Sequence, residues 1–190
     1  EKNLDILVAA FKGLVQMADN LHLTVVGEGP YLREMKDKLQ EIPCLFTGYL
    51  DGETLSAAYA SSDVFVFPST TDTFGNVVLE AQASGLPVIV TDQGGPCENI
   101  LPDETGLLIK GGRAQSLLNA MKIFTDNKLR AAKMGAAARA YAEERSFEKA
   151  FLDSWELFRE FSQESESANG NDLGKDTRNC HFLKQKVQPI

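Results

Sequence analysis

The chain has 190 residues, of which 43% are hydrophobic and 24% charged, a balance typical of one globular domain with its own core. Its formal net charge of −8 argues against a protein that binds nucleic acid, because such a protein needs a basic face. No apolar run approaches the about 18 residues of a membrane-spanning helix, and no signal peptide is evident. The three cysteines and two histidines are scattered, which predicts free thiols and no metal site.

Short apolar runs alternate with longer amphipathic stretches along the chain. Five strands are predicted, at 23–26, 44–47, 64–67, 88–90 and 106–109. Helices are predicted at 4–17, 31–39, 52–60, 77–84, 114–124, 128–143 and 147–163. This alternation, with strands apolar enough to be buried on both faces, predicts an α/β fold: a Rossmann-like, doubly wound parallel sheet with extra C-terminal helices. Because the first helix has no strand upstream, one more strand is expected before Glu1.

The predicted domain covers residues 1–163, and residues 164–190 are expected to form a flexible polar tail because they are rich in Ser, Asn, Gly and Lys. The helix at 147–163 carries an aromatic stripe that predicts a packing face. Ligands of doubly wound sheets bind beyond the carboxyl ends of the strands. We therefore expect the chemistry in the segments that follow the strands.

The segment after the third strand is the most informative. A polar loop reaches Gly75 and a helix begins at about Asn76, so backbone N–H groups and the helix dipole should form an anion site. Asp72 and Glu80 are eight residues apart and could both face one ligand. A carboxylate accepts hydrogen bonds from two adjacent hydroxyls, the geometry that a ribose or hexose diol offers. Glu80 lies among apolar residues, where a carboxylate without a partner is costly to bury, which favours a functional role.

These residues carry a resemblance to a known family. An acidic residue followed after seven residues by Glu80, with Phe-Gly before the helix and Ala-Ser-Gly-Leu-Pro-Val at 83–88, is similar to the C-terminal, donor-binding half of GT-B glycosyltransferases. The closest similarity is to the retaining group called family 4, or group 1. The resemblance runs from Glu1 to about Phe161. The family usually has Glu where this chain has Asp72, so this shorter side chain is expected to reach a different sugar hydroxyl.

The resemblance implies a role for each matching residue. Glu80 would bind the ribose hydroxyls of the donor nucleotide, and Asp72 would contact the donor sugar. Lys2, in the family-like segment Glu-Lys-Asn, would neutralise the diphosphate and completes the implied catalytic set. The implied donor-binding residues also include Gly27 and Gly29 after the first strand, Gly48, Tyr49 and Leu50 beside the base, and Thr73, Phe74, Gly75, Asn76 and Val77 near the sugar and diphosphate.

The implied function is retaining transfer of a hexosyl group from a UDP-, GDP- or ADP-type nucleotide sugar to a sugar, lipid or other acceptor. No metal or other cofactor is expected, since the family generally needs none and the chain has no Asp-x-Asp cluster. A missing N-terminal domain would hold the acceptor, so residues 1–190 alone are expected to be inactive. The full-length enzyme is expected in the cytoplasm, and peripheral association with the inner face of the membrane is left open.

Several alternatives remain open at this point. Gly27-x-Gly29 fits a tight turn as well as a phosphate contact, since the third glycine of a dinucleotide fingerprint is absent. Lys2 by itself fits a solvated surface lysine. Gly94-Gly95-Pro96 with Glu98 fits either the cap of a short helix or a further loop beside the donor. The alternative functions are a nucleotide-sugar 2-epimerase of GT-B architecture and a non-catalytic nucleotide-binding α/β domain.

Overall fold

A computed structural model describes residues 2–145, 155–156 and 159. The elements are, in order, α1 (Leu4–Val15), β1 (Leu23–Val26), α2 (Leu32–Lys38), β2 (Cys44–Gly48), α3 (Gly52–Ala60), β3 (Phe65–Phe67), α4 (Asn76–Ala83), β4 (Val88–Thr91), the 3₁₀ helix Gly95–Asn99, β5 (Gly106–Ile109), α5 (Ala114–Asp126) and α6 (Lys128–Glu143). The predicted helix over 147–163 lies almost entirely outside the described residues, as does the whole predicted tail over 164–190.

All pairings between the strands are parallel, as predicted. They form two ladders, β1–β2 and β3–β4–β5. The further strand expected before Glu1 stays a prediction.

Helices pack on both faces of β4. All four residues of β4 are buried, and they alternate between two cores as successive strand residues must. Ile89 belongs to the larger core, formed with α1 and α5, whereas Val88 and Val90 belong to a second core with Val78 of α4. Cores on both faces of a parallel ladder confirm the doubly wound α/β arrangement.

The β1–β2 ladder differs from the prediction. Val25 and Phe46 pack on the larger core, but on the opposite face Val26 is 41% exposed and Leu45 is 52% exposed. The prediction that every strand is buried on both faces is therefore wrong for β1 and β2, and also for β5 at Leu108, which is 42% exposed. For β1 and β2 the physical reason is that α3, the helix that follows β2, has no buried residue and so does not seal this face.

The helices have identifiable local causes. In α5 the buried residues Leu117, Met121 and Phe124 recur at the spacing of one helix face. At the start of α6 the side chain of Asn127 accepts a hydrogen bond from the backbone N–H of Arg130 at 2.9 Å, which supplies one of the acceptors that a helix N-terminus lacks. Within the described residues we find no helix that is long and apolar enough to cross a bilayer.

Candidate functional site

The loop after β3 turns into α4 at Gly75. This residue is the N-cap of α4 and has φ 80°, a left-handed conformation that glycine adopts without strain. Gly75 is buried, and a Cβ added to it would lie 2.9 Å from Cγ of Pro96. Both the backbone conformation and the packing therefore require glycine at this position.

Asp72 lies in the loop between β3 and α4, residues 68–75, which we call the amide loop. The resemblance assigned this segment to the donor. The Oδ1 of Asp72 accepts hydrogen bonds from the backbone N–H groups of Gly75 at 2.9 Å and Phe74 at 3.4 Å. Asp72 therefore provides the acceptor for two N–H groups of the turn just before α4, where the helix itself offers none. It bonds neither Asn76 nor Val77, the first two helical residues. The N–H of Gly75 would therefore reach a ligand only if the Asp72 carboxylate moved.

Lys2 and Asp72, two of the three implied catalytic residues, form an ion pair. The Lys2 Nζ donates to Oδ2 of Asp72 at 2.7 Å, with the two side chains 46% and 23% exposed. The hydrogen bond from Lys2 is the main cause of the lowered pKa of Asp72. Burial acts in the opposite direction. The charge of Lys2 and the N–H groups of Phe74 and Gly75 lower the pKa further. The Asp72 carboxyl is therefore held in its ionised form.

Replacing Lys2 by Gln should raise the pKa of Asp72 toward the ordinary aspartate range of about 3.9. A carboxyl whose pKa is lowered by folding stabilises the fold above its unfolded pKa, and this contribution is lost as the pH falls through the folded pKa. A carboxyl-carbon NMR titration of Asp72 in the wild type and in Lys2→Gln measures the change. An unchanged pKa in the variant would contradict the ion pair, and Lys12→Gln is the matched control.

Asn3 fixes the segment that carries Lys2. Its side-chain amide donates to the carbonyl of Pro68 and to Oγ1 of Thr70, both at 3.1 Å. Asn3 is the N-cap of α1 and has φ 52°, a conformation that asparagine tolerates better than most residues. Neither Asn3 nor Thr70 had been assigned a contact from the sequence. The residue preceding α1 is thus attached to the loop after β3, which places Lys2 beside Asp72.

Glu80 lies one turn inside α4 and is exposed. Its Oε2 accepts a hydrogen bond from the hydroxyl of Tyr59 in α3 at 3.1 Å. Burial is the main cause of the raised pKa of Tyr59, with the charge of Glu80 and this hydrogen bond adding to it, so the phenol stays a donor. Tyr59 was missed because a tyrosine in an amphipathic helix predicts packing rather than a site.

The side chains of Tyr59, Phe65 and Phe67 form an aromatic row that runs between Glu80 and Lys2. The rings of Tyr59 and Phe65 meet edge to face with centroids 5.7 Å apart, and those of Phe65 and Phe67 stack at 6.2 Å. At the far end the Nζ of Lys2 lies 5.3 Å from the centroid of Phe67, within the range of a cation–π contact. One packed row therefore contacts Glu80 at one end and Lys2 at the other.

The loop Gly94–Pro96 supports the amide loop from the other side. The N–H of Gly95 donates to the carbonyl of Asp72 at 2.9 Å, and a Cβ on Gly95 would lie 2.0 Å from the carbonyl oxygen of Thr73. Gly94 is also the N-cap of the 3₁₀ helix. Of the two interpretations of this segment, the structure shows the start of a short helix, packed against the loop that carries Asp72; a place beside the donor stays a prediction.

Two buried amide side chains extend this support. Asn99, which is 2% exposed, donates through Nδ2 to the carbonyl of Phe74, and Gln82, which is 0% exposed, donates through Nε2 to the carbonyl of Asn99 at 2.7 Å. These residues were not identified from the sequence, where a single amide residue in a helix has many explanations. The pair ties the 3₁₀ helix, α4 and the amide loop into one unit.

Replacing Asn99 by Ala should destabilise the fold by about 1–3 kcal/mol, because the substitution removes a buried side chain and the donor to the partly buried carbonyl of Phe74. The free energy of unfolding from urea titration measures this. The control is Asn119→Ala. Its side chain accepts a hydrogen bond from Gln115 on the exposed face of α5, and the substitution should change stability by less than about 0.5 kcal/mol. Equal losses in the two variants would contradict the supporting role of Asn99.

The remaining implied residues follow β1 and β2. The N–H of Gly27 donates to the carbonyl of Gly48 at 2.8 Å, so the turn with Gly27 and Gly29 lies against the end of β2. Tyr49 is 74% exposed, and Leu50 follows it. The structure thus gathers the implied residues into two groups, one on each ladder. In residues 2–145, 155–156 and 159, no cluster of three His, Cys, Asp or Glu side chains could hold a metal ion.

Comparison with known proteins places this arrangement in a family. Residues 1–141 match the family described as "Glycosyl transferases group 1". The chain is similar to the sulfoquinovosyl transferase of Arabidopsis thaliana, with 35% identity over 147 residues covering 75% of this chain and 28% of the relative. It is 48% identical over 93 residues to a GDP-mannose-dependent α-mannosyltransferase of Mycolicibacterium smegmatis, covering 48% of this chain and 24% of the relative.

A solved structure shows the same fold. The Anabaena protein HepE in complex with UDP-glucose superposes with a TM-score of 0.70 at 24% identity, covering 85% of this chain and 45% of that one. The chain therefore spans less than half of each of these three proteins. The family match extends over most of the residues that form the two ladders and the amide loop. The chain belongs to the glycosyl transferases group 1 family, and its fold is that of the C-terminal domain of a GT-B glycosyltransferase.

Proposed function

We propose that the chain is the donor-binding domain of an enzyme that transfers a hexosyl group from a nucleoside-diphosphate sugar to an acceptor, with retention of anomeric configuration. Family membership supports the reaction class. The name of the mycobacterial relative specifies GDP-mannose, and a protein of the same fold binds UDP-glucose. Because the chain spans only 28% and 24% of two relatives, the acceptor site is assigned to a further N-terminal domain.

One observation carries this proposal: a cation, a helix N-terminus and a carboxylate lie along one continuous unit. Lys2 contacts the loop that precedes α4, and the N–H groups of Asn76 and Val77 begin the helix. Glu80 follows four residues later, about 6 Å along the helix axis, a span within the length of one nucleoside diphosphate. The arrangement suits a diphosphate at the helix end and a ribose diol at Glu80.

The proposed mechanism follows from the charge that builds on the departing diphosphate. The N–H groups of Asn76 and Val77, the dipole of α4 and the ammonium of Lys2 would stabilise that charge. Asp72 would exchange its bonds to Phe74 and Gly75 for hydroxyls of the donor sugar, which frees the N–H of Gly75 for the ligand. The proposed mechanism uses no metal or other cofactor. We propose that the full-length enzyme acts in the cytoplasm or at the inner face of the membrane.

Calorimetric titration with UDP, GDP and ADP tests the proposal. All three nucleotides are used because the sequence does not identify the base of the donor. We expect one of the three to bind with a dissociation constant below 1 mM, on the scale where about −4 kcal/mol corresponds to 1 mM. Absence of binding to all three would favour a non-catalytic domain. In the full-length enzyme, release of free nucleoside diphosphate with a glycosylated product supports transfer, whereas a 2-epimer of the donor contradicts it.

Residues 1–190 by themselves should bind nucleotide weakly and should not turn over a nucleotide sugar, because no general base or acceptor pocket is assigned within them. Incubation of the purified chain with nucleotide sugar and with candidate acceptors, followed by mass spectrometry, measures this. Product formation at a rate above that of heat-inactivated protein would contradict the assignment of the acceptor site to another domain.

A further inference from the structure

The hydrogen bond from Tyr59 to Glu80 can fix the orientation of the Glu80 carboxylate. Glu80 is exposed, so without a partner its side chain would sample several rotamers. Tyr59 is half-buried, and its ring is held edge to face against Phe65 at 5.7 Å. The donor oxygen is therefore fixed by packing before any ligand arrives.

The chemistry leaves Glu80 able to bind a ligand at the same time. A carboxylate has two oxygens with about four lone-pair sites, and Tyr59 uses one site on Oε2. Oε1 and the second site of Oε2 remain available to two adjacent hydroxyls. A carboxylate that is already oriented loses less conformational entropy on binding, which raises the affinity for the groups it faces.

We propose that Tyr59 is a positioning residue, which holds the Glu80 carboxylate in the orientation that accepts both hydroxyls of the donor ribose and so makes the site selective for ribonucleotides. This inference rests on the proposed function, because it takes the ligand of Glu80 to be the ribose of a nucleoside diphosphate. It adds a residue from α3 to the site and a reason for selectivity between ribose and deoxyribose.

The test compares Tyr59→Phe with the wild type in binding to UDP, GDP and ADP and to the 2′,3′-dideoxy form of each. Phenylalanine keeps the ring in the aromatic row and removes only the hydroxyl. We expect about five- to tenfold weaker binding of the ribonucleotide, within the range of one ordinary hydrogen bond, and no change for the dideoxynucleotide. Tyr141→Phe, on α6 beside Arg145, is the matched control and should change neither.

A double variant separates orientation from a general structural effect. If Tyr59 acts through Glu80, then Tyr59→Phe should weaken ribonucleotide binding no further when Glu80 is already Gln. Equal losses for ribo- and dideoxynucleotides, an unchanged affinity in Tyr59→Phe, or additive losses in the double variant would each overturn the inference while leaving the proposed function in place. Failure of the wild type to bind any of the three ribonucleotides would overturn both.

Discussion

Glu80→Gln should weaken the binding of a nucleoside diphosphate by about ten- to a hundredfold. The substitution removes the negative charge, and a hydrogen bond to a charged group is worth about 1.5–3 kcal/mol, where each 1.4 kcal/mol corresponds to a factor of ten. The amide also offers one oxygen in place of two, so it cannot accept from both ribose hydroxyls and from Tyr59 in the same way. Calorimetry on the wild type and the variant measures the loss.

The matched control for Glu80→Gln is Glu41→Gln. Glu41 is exposed and precedes the start of β2, so it lies at the edge of the sheet opposite the carboxyl ends of the strands. It should alter neither the affinity nor the melting temperature. If Glu80→Gln bound the nucleotide within twofold of the wild type, a ribose contact at Glu80 would be contradicted, because no other residue of α4 has a carboxylate.

Gly95→Ala should damage the amide loop from a position that touches no ligand. The added Cβ would lie 2.0 Å from the carbonyl oxygen of Thr73 and 2.8 Å from Cα of Phe74. Both are backbone atoms, so no side-chain rotation relieves the clash and the loop itself must shift. Overpacking of this kind costs about 1–3 kcal/mol. We expect a lower melting temperature and at least tenfold weaker nucleotide binding, measured by calorimetry.

A glycine in open space provides the comparison for stability. A Cβ on Gly29 meets no atom within 4 Å and its φ is not positive, so Gly29→Ala should leave the melting temperature nearly unchanged. If Gly95→Ala melted at the wild-type temperature and bound nucleotide normally, the close contact between Gly94–Pro96 and the amide loop would not matter for the site.

Much of the fold was predictable because apolar periodicity reflects burial. The strand at 23–26, the helix at 52–60 and the helix at 128–143 have the predicted bounds, since glycines, polar residues and a capping asparagine delimit them. The exposure of Leu45 was not predictable, because an apolar run does not reveal whether a helix covers its second face. That depends on the position of α3, which is set by contacts distant in the sequence.

The site was predictable only in part. Lys2 and Asp72 were singled out separately, and the structure shows that they pair. The hydrogen bonds from the N–H groups of Phe74 and Gly75 to Asp72 were not foreseen, because the sequence interpretation considered only a ligand as the partner of this carboxylate. Tyr59 and Asn99 have no local pattern that distinguishes them from packing residues. Their roles arise from approaches across 21 and 25 residues of chain.

An NMR titration of the backbone amides with the nucleoside diphosphate that binds would locate the donor site. We expect the amide resonances of Gly75, Asn76 and Val77 to shift in a saturable way, together with those of Gly27 and Gly48. The same titration in Glu80→Gln should need a higher ligand concentration. Shifts confined to another surface, such as the cavity lined by Asp103, Arg130 and Lys133, would contradict a donor site at the start of α4.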